Sequence, residues 1–315
     1  MGYPAIKVSR EKLKHNTKIL AEKCGRLGID IVPVTKVYCG IPEIAEASVA
    51  AGAKMLADSR IENIIKLKEL NAEKMLLRIP MLSQVDEIVE HVDISLNSEY
   101  EVIKALSGKA LQRGKIHKII LMVDLGDLRE GVWYKDAVEF AGRIVKLPGI
   151  KLVGLGTNLT CYGAVIPSVE NLGLLAALAE ETEKKYDIKL DIISGGNSSS
   201  LHLVEKNKVP KGINQLRLGE AIVLGNETAY GERIEGTYGD VFTYMAEIIE
   251  LKEKPSVPVG ETGVDAFGEK PVFTDRGIRK RAILASGRQD LKVDGIQPRD
   301  KDAIVIGASS DHLII

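Results

Sequence analysis

Between Ile31 and Leu218, short apolar runs alternate with amphipathic helical stretches through about eight cycles, and that rhythm limits the available folds. The runs are Ile31–Val34, Lys54–Ala57, Lys74–Arg78, Val92–Leu96, Lys118–Asp124, Lys151–Thr157, Asp191–Ser194 and Gln215–Leu218. The helical stretches between them include Pro42–Ala51, Arg60–Leu70, Ser83–Glu90, Ser98–Leu111, Lys135–Lys146, Ser168–Lys185 and Ser198–Glu205. Eight such units in roughly 200 residues predict an α/β protein built on a (β/α)8 TIM barrel. A doubly wound open sheet shares the period and is the rival. Pro33 weakens the first strand, because proline gives the ladder no donor.

The flanks follow another pattern. Ala5–Val8 reads as a short strand, and Ser9 as the cap of a helix over Arg10–Lys23. Residues 225–239 are rich in glycine and charge and read as a linker. Beyond them Phe242–Leu251, Lys280–Ala285 and Asp302–Ile306 read as strands set off by Pro and Gly turns. The predicted division is a barrel over 9–230 and a smaller, mainly β domain from 1–8 plus 240–315. The chain stops inside the apolar run Leu313-Ile314-Ile315, which predicts a native protein that continues and a second domain cut short here.

Composition narrows the function. The 315 residues carry a net charge of −1, so no basic footprint for nucleic acid or acidic membrane is visible. Three well-separated cysteines give neither a disulfide frame nor a zinc spacing and suit a reducing cytoplasm. No signal peptide precedes Ile31, no run is long enough to span a bilayer, and the five histidines form no metal-binding pair.

In a (β/α)8 barrel, functional side chains sit where strands end. Lys36 follows the first strand, Arg129 the fifth and Asn158 the sixth. Asn197 and Ser198 follow the seventh, and Arg217 and Gly219 close the eighth. Lys36 is either chemically used or a lysine reaching out to water. Ser194–Ser200, SGGNSSS, offers backbone N–H groups, hydroxyls and a helix start suited to a phosphate, with Gly219 and Glu220 beside it. A serine-capped Gly-Asn turn is the plainer account. A lysine opposite a phosphate cradle suggests pyridoxal phosphate. Arg217, always protonated, would face the pyridine nitrogen and favour simple proton return at Cα; otherwise it is a surface partner of Glu220.

At these residues the chain resembles the alanine racemase-like, fold type III pyridoxal phosphate enzymes over nearly its whole length. The motifs are VTKVYCG, LADSRIEN, VDLGDLREGVW, GLGTNLTCYG, GGNSSSL, RLGEA and SSDHLII. GTNLTCYG, GGNSSS and VDAFG look most like the ornithine racemase subgroup. The resemblance implies that Lys36 forms the Schiff base and that Asn158, Asn197, Ser198, Arg217, Gly219 and Glu220 hold the cofactor. It implies Arg129 at the substrate carboxylate and Asp311 presented to the site of a partner subunit in a homodimer. The expected reaction is two-base racemisation of a free amino acid, ornithine or another basic one. Alanine racemisation, or a non-catalytic cofactor carrier on the same barrel, is the alternative.

Three departures accompany the resemblance. Asp265-Ala266-Phe267-Gly268 stands where relatives carry a catalytic tyrosine, leaving Asp265, Tyr162, Cys161 and Tyr230 as candidates for the second base. Met122 replaces a lysine that supports the carboxylate-binding arginine. Gly40 stands where relatives have a tyrosine. Asp265, Asp311 and Glu220 are the candidates for a distal substrate ammonium.

Overall fold

The computed structural model describes residues 2–264, 267–268 and 270–315. It divides into two compact units, one over Ser9–Val241 and one joining the start of the chain through Val8 to Phe242–Ile315.

In the first unit eight parallel strands form a nearly closed ring. They are β1 (Asp30–Pro33), β2 (Met55–Asp58), β3 (Glu73–Leu76), β4 (Ile94–Asn97), β5 (His117–Asp124), β6 (Ile150–Gly156), β7 (Ile192–Ser194) and β8 (Gln215–Leu218). Neighbours pair from β2 through β8 to β1, and a parallel bridge between Val34 and Ala57 joins the two ends. An open doubly wound sheet has no such bridge, so the barrel expectation holds. Pro33 is tolerated as the last residue of β1, opposite Leu218. The ladder resumes at once, with Val34 N–H donating to Leu218 O at 2.8 Å.

Alternation along the strands sorts side chains into two cores. Val32, Met75, Ile94, Leu96, Ile120 and Met122 belong to one buried cluster that fills the ring. Ile119, Leu121 and Val123, the alternate residues of β5, pack with Leu172 and Leu175 of the helix Val169–Tyr186 outside it. That helix starts with a capping box: Ser168 accepts from Asn171 N–H and the Asn171 side chain accepts from Ser168 N–H.

One buried histidine in this layer is a pH liability. His117 opens β5, its Nε2 lies 2.7 Å from Ser95 Oγ on β4, and burial pushes its pKa down from 6.5 to about 4. The unfolded chain therefore takes up this proton well before the folded one. The associated stability is complete above about pH 6.5 and falls as pH drops toward 4, by about 3 kcal/mol. Denaturant titrations at pH 7 and 4.5 should show this loss, and His117→Gln should remove most of it.

In the second unit Ala5–Val8 pairs antiparallel with β9 (Phe242–Met245). A separate antiparallel sheet runs β10 (Ile248–Pro255), β11 (Ile278–Ala285), β13 (His312–Ile314), β12 (Gly307–Ala308). Three features differ from the sequence reading. The run Phe242–Leu251 is two strands, broken at Ala246-Glu247, because its halves pair with different partners. Asp302–Ile306 is not a strand: Asp300 accepts from Asp302 N–H at 2.9 Å and starts a turn, and pairing begins only at Gly307. Residues 225–239 are a folded loop of the barrel unit, with Ile234 buried and Glu227 accepting the N–H groups of Ala229, Tyr230 and Glu232.

Candidate active site

The carboxyl ends of the barrel strands surround a cavity of about 480 Å³. Lys36 lines it from the turn Thr35–Tyr38 after β1. That turn is clamped from below. Thr35 Oγ1 donates to the fully buried Asp58 carboxylate at 2.6 Å, and Asp58 also accepts from Asn63 Nδ2 at 3.1 Å and Arg60 N–H at 3.0 Å. Burial, and the Asp58 charge next, hold the Tyr38 phenol far above its ordinary pKa, so it stays protonated. Gly40 has φ +62, and a Cβ there would lie 2.7 Å from the Asn63 Cβ. LADSRIEN thus fixes the platform from which the lysine projects.

Arg217, on β8, is 4% exposed. Nη1 donates to Ser194 Oγ at 2.5 Å and Nη2 to Thr157 O at 2.7 Å. The surface pairing with Glu220 is therefore excluded. Burial lowers the Arg217 pKa to about 10, with the Glu130 charge raising it and Arg129 lowering it, so the group remains cationic at neutral pH. It lines the cavity.

The loops after β7 and β8 meet at a second wall. Ser198 Oγ accepts from Ala221 N–H at 3.2 Å, tying SGGNSSS to RLGEA. Asn197 Oδ1 accepts from Ser199 N–H at 2.8 Å and caps the turn Ser198–Ser200. Ser198, Gly219 and Glu220 line the cavity here, and a Cβ on Gly219 would come within 3.3 Å of Val34 Cβ.

The third wall comes from β5 and β6. The Asn158 amide sits between Asn197 Nδ2, at 2.9 Å, and the Arg129 guanidinium; turned with its oxygen toward Arg129, it accepts from both Nη atoms. The Nε and Nη2 edge of Arg129 is held by both oxygens of Glu130. Those hydrogen bonds, more than the charge alone, raise the Arg129 pKa above its ordinary value. Cys161 Sγ lies 3.1 Å from the Asn158 amide and also lines the cavity.

Nine of the residues singled out in the sequence, from Lys36 to Glu220 and including Cys161, thus surround one cavity. Tyr162 does not join them: it is 74% exposed and lies outside the lining, and its backbone N–H donates to Asp127 Oδ2 at 3.0 Å. Asp265 lies outside the described residues. Asp311 belongs to the other unit, where it pairs with His312 Nδ1 at 2.9 Å and accepts from the Ser309 hydroxyl; those contacts hold its carboxyl below the usual range. Sequence reasoning passed over Glu130, Asp127 and Glu227. Asp127 is buried and accepts the N–H groups of Cys161, Tyr162 and Val165, so it anchors the loop that carries Asn158. Its signal was an aspartate inside the glycine-bounded loop LGDLREG.

A nearly closed parallel barrel whose carboxyl rim gathers one lysine, two arginines and a hydroxyl- and amide-lined cradle is built as a small-molecule enzyme. The chain belongs to the family described as Alanine racemase, N-terminal domain, which matches residues 8–227. It is 48% identical over 314 residues to ornithine racemase from Acetoanaerobium sticklandii, covering 99% of this chain and 89% of that protein. It is 44% identical over 317 residues to lysine racemase from Thermotoga maritima, covering 100% and 89%. Among solved structures, alanine racemase from a D-cycloserine-producing Streptomyces lavendulae superposes with TM-score 0.74 at 19% identity, covering 98% of this chain and 82% of that one. D-threonine aldolase from Filomicrobium marinum gives 0.73 at 14% identity, covering 100% and 82%. At that distance the structures speak for the fold alone.

Proposed function

We propose that this protein racemises a free basic amino acid, ornithine or lysine, with pyridoxal phosphate as its cofactor. The observation that carries the reading is the single cavity that brings Lys36, Arg217 and the Ser198–Gly219 cradle together. The residues fit the group. Position 219 has no side chain, where a Cβ would crowd Val34 of the same cavity wall, and Ser198 lines the cradle beside it. Arg217 keeps its charge, is fixed at two of its nitrogens and faces the cavity.

In this reading Lys36 would supply the amine that anchors the cofactor aldehyde, Ser198, Gly219 and Glu220 would hold its phosphate, and Asn158 and Asn197 would help to hold the rest of it. Bound there, the cofactor takes up the electron pair left when the Cα proton departs. Arg129 grips the α-carboxylate and fixes which bond at Cα faces Lys36. The Lys36 Nζ holds the abstracted proton on one face. Arg217 would offer the group a hydrogen bond without surrendering its proton, which favours return of a proton to Cα over side reactions. Cys161 lines the same cavity and is the candidate for the opposite face that the geometry favours over Tyr162.

Two further parts of the reading rest on other observations. Work in the cytoplasm accords with three free cysteines, and no described helix is long and apolar enough to cross a membrane. A homodimer accords with Ile248, Ile249 and Leu251 standing exposed along β10, and with Asp311 as a group offered to a partner. The test is direct. Protein purified with pyridoxal phosphate should be yellow, borohydride should fix the cofactor on Lys36, and L-ornithine or L-lysine should lose optical rotation. Colourless protein that takes up no pyridoxal phosphate, or yellow protein that leaves both amino acids unchanged, overturns the proposal.

A further inference from the structure

The described lining of the cavity includes three acidic side chains, and they are not equivalent. Glu227 is spent on its own loop, accepting N–H groups from Ala229 at 2.8 Å, Tyr230 at 2.9 Å and Glu232 at 2.8 Å. Glu220 opens the short helix Glu220–Leu224 beside Gly219, on the side of the cradle. Glu130 stands on the opposite wall. Its side chain keeps 21% exposure, and both of its oxygens occupy the Nε and Nη2 edge of Arg129.

That edge is the fork with which a guanidinium grips a carboxylate in two parallel hydrogen bonds. Here it already holds one, and the remaining Nη donors turn to Asn158. A substrate carboxylate must therefore displace Glu130 before Arg129 can take it. The freed Glu130 is then a carboxylate inside a partly enclosed cavity, and an unpaired charge in such a place is costly. An amino acid with an uncharged side chain leaves it unpaired. One with a distal ammonium exchanges the internal pair for two new ones.

Building on the racemase reading of this cavity, we infer that Glu130 is the specificity-determining residue for dibasic amino acids. The α-carboxylate takes the Arg129 fork, and the Glu130 carboxylate released from it receives the ammonium at the end of the substrate side chain. No covalent step is involved. Glu130 and Arg129 are adjacent in one loop, so a flexible substrate folds both ends toward the same wall. Asp265 and Asp311, singled out from sequence for this task, are not needed for it.

The test compares cofactor-loaded wild-type protein with Glu130→Gln and Glu130→Asp. Ornithine and norvaline, the same carbon chain without the distal ammonium, are followed by initial racemisation rates and by the change in cofactor absorbance on titration. Glu130→Gln is expected to lower kcat/KM for ornithine about 10²-fold, mainly through KM. Norvaline should bind as well as before or better, because the fork is left free. Glu130→Asp should keep the preference for ornithine. Equal losses on both substrates would make Glu130 only a positioning residue for Arg129 and overturn the inference, as would an unchanged ornithine KM. Equal binding of ornithine and norvaline by wild-type protein also overturns it. Wild-type protein that prefers ornithine in the titration but racemises nothing would sink the racemase reading while leaving Glu130 as the selector.

Discussion

Lys36→Ala protein is expected to be colourless as purified and to lose at least about 10⁴-fold in racemisation rate. A positioned proton-transfer group contributes roughly 10²–10⁴-fold by itself, and this substitution also removes the amine that anchors the cofactor. The fold should survive. Lys36 points into an open cavity, and its turn is held by Thr35, Asp58 and Asn63 rather than by the lysine. Lys36→Arg keeps the charge but offers no primary amine to condense with an aldehyde, so it should be as inactive as the alanine variant. Visible absorbance, the racemisation rate and the melting temperature, taken together, check this. A Lys36→Ala variant that retains a tenth of the activity would remove the lysine from the chemistry.

Arg217→Met carries the second large effect, and it falls on stability and activity together. The substitution strips donors from Ser194 Oγ and Thr157 O, both buried. A buried acceptor left without a donor costs about 1–3 kcal/mol. Relief from desolvating a guanidinium offsets part of this, so a net loss of about 2 kcal/mol is expected, or several degrees in Tm. The rate should fall about 10²–10³-fold, the scale seen when one donor aimed at developing charge is lost. Arg217→Lys restores a cation but not two fixed hydrogen bonds, and should recover stability more than rate. If both variants matched wild-type turnover, Arg217 would be no more than a strut between β6, β7 and β8.

The barrel was legible because its signal is periodic and repeated. Residues such as Ile119–Val123 alternate between two apolar environments, and each cycle restates the same choice. Ring closure was not legible: it rests on one pairing, Val34 with Ala57, between strands adjacent in sequence but at opposite ends of the pairing order. Lys36, Arg129 and Arg217 stood out because strand ends in such barrels share one rim, and they line one cavity. Glu130 was missed because strand-end counting ranks positions singly, whereas its meaning lies in the side-chain pair it makes with Arg129. Residues 225–239 misled for a related reason. Glycine and charge are the composition of a linker, and also that of a loop whose glutamate gathers its own backbone N–H groups.

Asp127 has a bearing on any attempt to alter what this barrel accepts. Through one carboxylate and one carbonyl it fastens Cys161, Tyr162, Gly163 and Val165 to the neighbouring segment. The two segments form a single mechanical part. Grafting either one alone from a relative of different selectivity would leave the graft unmoored, and the exchangeable module for re-engineering is the pair.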